Sequence, residues 1–286
     1  LRGLPVVNRG EDGSPLVTWA KPDFLREGSG ILFFDELNCA PPASQNAALQ
    51  IMLDRKCGSH RLGDGWYIVG AGNKASHKAH VSPLSAPLRN RFNIIDFEPS
   101  VEDWTNWAMA NGIHDDIIGF VNFRPALLST LPKDEYSNFA SPRTWAFTSE
   151  YVKDGVEDQQ DLIGLIGEAA SHEFVAYRNE VKFMPNIDAL LEGRASFTEE
   201  EKRISISFAL AMALSSRLLR EKKDFINKYA ERCAEIVSGM SPEIACLFYV
   251  RSMKGSVEVK EALTKSRATF KWVKAHEPLL KKYGVS

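Results

Sequence analysis

The chain has 286 residues, 44% of them hydrophobic, with 35 lysines and arginines against 37 aspartates and glutamates and a formal net charge of -2. That composition excludes global disorder and allows one large domain or two of ordinary size. It gives no whole-molecule electrostatic case for a nucleic-acid partner, although a local basic patch is compatible with a balanced total.

From Leu1 to about Phe97, short β-like runs alternate with turns. PLVTW, ILFFD, WYIVGAG and NIIDFE read as strands, and SQNAALQIMLD, Ser44 to Asp54, reads as a helix. In that helix Ala47, Ala48, Ile51 and Met52 fall near one face, and Gly58 is placed to stop it. The Asp-Gly pairs in NRGEDGSPL and RLGDGWYIV predict two hairpins. Strand, helix, strand is an α/β signature.

After Phe97 the chain turns helical, with legible starts: Ser100 and Asp103 in SVED, Pro142 after Ser141, Thr198 and Glu201 in TEEE, and Pro242. No strand is expected there. The expected division is an α/β portion over 1–98, a helical portion over 99–154 and a helical extension over 155–286, the second boundary lying in the polar stretch YVKDGVEDQQD.

Cys39, Cys57, Cys233 and Cys246 lie far apart with no C-x-x-C pair, which supports neither a zinc ribbon nor a disulfide framework and suits a reducing cytoplasm. Apolar runs such as FALAMAL are far shorter than the roughly 20 residues a bilayer span needs, so no membrane association is expected. LRGLPVV has no signal-peptide pattern and no initiator methionine, and the chain reads as part of something longer.

The stretch ILFFDELNCAPP ends an apolar run on adjacent acids, Asp35 and Glu36. Neighbouring carboxylates repel, and a core cannot solvate them. An apolar run ending in Asp-Glu resembles the second acidic motif of nucleoside triphosphatases, and that resemblance implies a divalent cation and bound phosphates in front of the pair, which would remove the conflict. Successive residues at a strand end diverge, so one acid can face a metal ion and the other a nucleophilic water.

ILFFDELNCAPPASQNAALQIMLD, then GWYIVGAGN, then PLSAPLRNRF together resemble the AAA+ ATPases of the MoxR branch. Their pattern is an acidic strand end D-E-[IL]-N-R-A-P-P, a helix, a strand closing in A-x-x-N or A-G-N, and a helix ending in R-F. GIHDDIIGFVNFRPALL and FASPRTW extend the resemblance to about Tyr151. It implies a partial P-loop core, a parallel sheet with hairpin insertions, followed by an all-helical lid and a helical extension.

By that resemblance Asp35 would hold magnesium, usually through water, and Glu36 would polarise the attacking water. Asn73 would be the first sensor, placed near the γ-phosphate or lytic water. Arg91 would be the arginine finger given to a neighbouring subunit's nucleotide, with Arg89 as the alternative; a planar guanidinium neutralises charge spreading over phosphate oxygens. Arg143, in the first turn of a helix capped by Ser141, would be the second sensor.

The chain departs from the family in two ways. Cys39 replaces the arginine that usually follows D-E-[IL]-N, and it reads as a small buried residue. No G-x-x-x-x-G-K-[ST] phosphate loop occurs in residues 1–286; in the family it lies upstream of a segment like LRGLP.

Other signals read more simply. Arg55, Lys56, His60 and Arg61 beside the second hairpin would suit an acidic or nucleic-acid partner, or a solvated surface. His77 and His80 read as loop residues without a third metal ligand, and Trp104 and Trp107, three apart, as helix packing. KSRATFKWVKAHEPLLKKYG reads as a helix covering the lid with solvated lysines.

The resemblance implies ATP and Mg2+ as cofactors, a ring of subunits, expected to be a hexamer, and remodelling of a protein client or a partner with a metal-dependent adhesion-type domain. A nucleic-acid motor or restriction-type translocase, and a scaffold that has lost nucleotide binding, stand as alternatives.

Overall fold

The computed structural model describes residues 4–11, 13–74, 84–134, 136–197 and 203–282. The chain divides into two compact units, Leu1–Phe97 and Glu98–Ser286. It is an α/β protein, with a small parallel sheet in the first unit and helices making up the second.

The first unit opens with an antiparallel hairpin of β1 (Pro5–Arg9) and β2 (Pro15–Trp19), registered from Pro5 opposite Trp19 to Arg9 opposite Pro15. Gly13, at φ +79°, closes the turn and donates to the Gly10 carbonyl at 2.9 Å. A side chain at that φ would clash with its own backbone. Every residue of both strands is exposed.

The sheet proper pairs β3 (Ser29–Phe34) with β6 (Gly65–Gly70) in parallel, Ile31 opposite Tyr67 and Phe33 opposite Val69. Period-two alternation gives each strand two faces. Leu32, with Ile68 and Trp66, packs on one side with Leu25, Leu62, Cys57 and Ile51 of helix α1 (Pro42–Asp54). Ile31, Phe33, Tyr67 and Val69 are exposed on the other. α1 begins two residues before the expected Ser44, because Pro42 at its first position has no N–H to satisfy.

Three expectations for this unit need correction. Asp64-Gly65 does not turn a hairpin. The second hairpin is a smaller one, β4 (Lys56–Cys57) against β5 (His60–Arg61), and β6 leaves it to pair with β3, where its apolar residues find a core. NIIDFE is not a strand: no described residue forms a ladder with it, and Ile94, Ile95 and Phe97 are exposed. β-branched residues favour a pleated surface, yet a strand still requires a partner for its N–H and C=O groups. Cys39 is exposed, not buried.

The second unit contains no strand among its described residues. Its helices are α3 (Val101–Ala110), α4 (Asp115–Phe123), α5 (Pro142–Lys153), α6 (Gln159–Val181), α7 (Ile187–Leu191), α8 (Ile204–Arg220), α9 (Lys223–Ser238), α10 (Pro242–Gly255), α11 (Val257–Lys265) and α12 (Arg267–Lys282); α2 (Ala86–Arg89) belongs to the first unit. The expected caps form: Ser100 accepts from the Asp103 N–H at 3.2 Å, and Ser141 and Thr144 make a reciprocal capping box ahead of Pro142. Thr198 and Glu201 lie outside the described residues.

Helices α4, α8 and α10 are buried on most of their circumference and form the centre of this unit. Phe120, Trp145, Phe174 and Tyr177 cluster with ring centroids 5.2 to 5.5 Å apart at tilted or edge-on angles. Helix α6 breaks at Gly167, where φ is +78° and a Cβ would come within 2.3 Å of the Asn138 carbonyl oxygen. Trp104 is buried with its indole N–H on the Pro142 carbonyl, whereas Trp107 is exposed, so only one of the pair packs. α12 keeps Lys271, Lys274 and Lys281 in solvent as expected, but buries Trp272 and Leu280 chiefly against α9, α10 and α11 rather than against helices of 99–154.

Candidate active site at the ends of β3 and β6

In an open parallel sheet, side chains with chemistry collect where the strands end at their carboxyl side. The β3–β6 register puts Phe34 opposite Gly70, so Asp35 and Glu36 leave one strand beside the point where Ala71, Gly72 and Asn73 leave the other. Both carboxylates are exposed. Glu36 adopts φ +50°, a left-handed conformation costing on the order of 1 kcal/mol for a residue with a Cβ. Its N–H is taken by Asp35 Oδ1 at 3.0 Å, and its carbonyl accepts from Cys39 at 2.8 Å. The main chain therefore turns sharply directly after the acids.

Pairing between the two strands continues beyond this turn. The Ala71 N–H donates to the Phe34 carbonyl and the Leu37 N–H to the Ala71 carbonyl, both at 2.9 Å. Asn38 then reaches across with its side chain: Nδ2 donates to the Asn73 carbonyl at 2.7 Å, and Oδ1 accepts the Asn73 N–H at 3.2 Å. These bonds occupy Asn73's main chain and leave its side-chain amide free of the clamp. The sequence motifs point to Asp35, Glu36 and Asn73 but not to Asn38, whose hydrogen-bond partner lies 35 positions away.

An open cleft of about 600 Å³ borders these strand ends, lined by Leu37, Asn38, Asn73, Lys74, Phe92 and Asp96 among others. Lys74 and Asp96 form an ion pair across it at 3.4 Å. Asp35 and Glu36 are not part of its lining.

No group of three or more His, Cys, Asp or Glu residues among the described residues forms a metal cage. Asp35 spends Oδ1 on the Glu36 N–H. One exposed carboxylate of this kind fits magnesium, which keeps most of its waters and takes one or two protein carboxylates plus phosphate oxygens. It does not fit a cation that needs an all-protein shell.

The arginines divide between the units. Arg89 is the last residue of α2 and exposed; Arg91, also exposed, donates from Nη1 to the Pro87 carbonyl at 2.6 Å. Arg143 is exposed in the first turn of α5, in the second unit.

The basic residues at the second hairpin are largely committed. Arg55, itself at φ +52°, donates to the Gly63 and Trp66 carbonyls at 2.6 and 2.7 Å; Arg61 pairs with Asp64 at 2.8 Å, and a ring nitrogen of His60 bonds the Trp19 carbonyl at 2.8 Å. His77 and His80 lie outside the described residues. No helix among the described residues is long and apolar enough to cross a membrane.

The chain matches no protein-family model, no curated protein and no solved structure.

Proposed function

We propose that the chain carries the acidic half of a magnesium-dependent ATPase site of the MoxR-like AAA+ type, and that turnover at the interfaces of a ring remodels a protein client. The observation that supports this best is the parallel β3–β6 register, which ends one strand just before Asp35 and Glu36 and the other shortly before Asn73, on the same carboxyl edge. Asp35 would hold the hydrated magnesium ion, which would neutralise phosphate charge. Glu36 would orient and deprotonate the attacking water, and the Asn73 amide would hold that water or the terminal phosphate.

Arg91 would serve a neighbouring subunit by exchanging its Pro87 carbonyl for phosphate oxygens, with Arg89 as the alternative donor. Hydrolysis also requires a phosphate-binding loop, which residues 1–286 do not contain. A nucleic-acid motor gains no support from the second hairpin, where Arg55 and Arg61 already hold protein acceptors.

The test is Glu36→Gln in the full-length protein. Removing the base while keeping shape should preserve ATP binding and lower kcat by about 100-fold or more. Hydrolysis at the parent rate would refute the assignment.

A further inference from the structure

We infer that Asn38 is a positioning residue whose side chain replaces the backbone ladder where β3 ends, fixing Asn73 at the sheet edge that also carries the carboxylate pair, and that Gly72 lacks a side chain to make room for it. The inference rests on the hydrolytic role proposed for Asn73.

A primary amide carries the same donor and acceptor as a peptide group, so a suitably placed asparagine can bond both the N–H and the C=O of one opposing residue. Asn38 does this with Asn73, and the two bonds fix which end of the amide is oxygen. The need for it follows from Glu36. Its left-handed φ ends the regular strand, and after the Leu37 N–H reaches the Ala71 carbonyl no further backbone pairing joins the two segments among the described residues. Without Asn38, Asn73 would hang from the end of β6 on a chain of small residues, Gly70, Ala71 and Gly72.

Gly72 supplies an independent observation. A Cβ built there would lie 2.4 Å from Asn38 Oδ1 and 2.8 Å from its Cγ, well inside contact distance. Gly72 is not at a positive φ that an alanine would resist, so the amide of Asn38 is what excludes a side chain. The glycine, the amide and the positioned asparagine form one device.

The experiment compares Asn38→Ala, Gly72→Ala and the double variant in the full-length protein, reading amide exchange at Asn73 and steady-state MgATP hydrolysis. Asn38→Ala should speed Asn73 exchange and lower kcat about tenfold with KM changed less than about twofold, because misplacing one group slows chemistry without weakening ground-state binding. Gly72→Ala alone should do the same. Added to Asn38→Ala it should cost nothing more, since the atom it strikes is gone.

Unchanged exchange in Asn38→Ala, or independent penalties that add in the double variant, would overturn the clamp. Faster exchange with unchanged kcat would overturn its link to turnover. A parent protein that hydrolyses no nucleotide would instead remove the proposed function, while the exchange measurements would still decide whether Asn38 holds Asn73.

Discussion

The two units bury their apolar residues to very different degrees. In the second, α8 and α10 are enclosed on nearly every side, and an aromatic cluster of Phe120, Trp145, Phe174 and Tyr177 occupies its centre. In the first, the buried cluster is Leu25, Leu32, Ile51, Cys57 and Leu62, while Ile31, Phe33, Tyr67 and Val69 face outward from the same two strands. A parallel sheet normally has both faces covered. The unit that carries the candidate chemistry is thus the one with the smaller core, and the helical unit is where large stability changes should be found.

The largest effect should come from Phe120→Ala, which empties the centre of the aromatic cluster. It should cost about 3 to 5 kcal/mol in urea unfolding followed by helical circular dichroism. A cost below about 1 kcal/mol would erase the contrast between the units.

Gly167→Ala should come next, at roughly 1 to 3 kcal/mol, because alanine resists φ +78° and its methyl would strike the Asn138 carbonyl. A thermal melt at the parent midpoint would show that the break in α6 does not depend on glycine.

The helical unit should also weaken in alkali. Burial pushes the Cys233 thiol from 9.0 up to about 12. Burial, and then the charges of Asp116 and Asp115, raise the Tyr177 phenol well above 10.0. Both groups keep their proton longer in the folded state. The stability they contribute is therefore whole below the unfolded pKa values and falls as pH rises through the interval between unfolded and folded values. Each should remove about 1.4 kcal/mol per pH unit within its interval. Cys233→Ala should flatten the slope that begins near pH 9; an unchanged slope would assign the loss elsewhere.

The smallest change in stability belongs to Ile31→Lys on the bare face of the first unit, within about 0.5 kcal/mol. Its signature should be reduced self-association by light scattering, since an exposed apolar strand face promotes contacts between copies. A large loss of stability would mean that this face is not free.

Much of this was legible locally. Ser100, Ser141 and Pro142 announce their helices because capping acts within one turn, and GEDG announces the first hairpin because a tight turn is set by its own residues. The acids at the end of ILFF were legible as a strand terminus for the same reason. What the sequence concealed depends on partners far along the chain. NIIDFE has the composition of a strand but no ladder, Asp64-Gly65 has a hairpin's turn but leads into a strand that pairs elsewhere, and Asn38 looks like any turn residue until Asn73 is opposite it. Gly167 lies inside a helical pattern, and only the approach of Asn138 explains it.

The break at Gly167 also sets what α6 can transmit. A continuous helix of this length would act as a stiff lever, carrying a push on Gln159 through to Val181. Interrupted by a non-helical residue and abutted there by the Asn138 carbonyl, it behaves as two shorter rods meeting at a joint. Each rod has its own anchors in the core, Leu162 and Ile166 in the first and Phe174 and Tyr177 in the second, so the joint sets the angle between them.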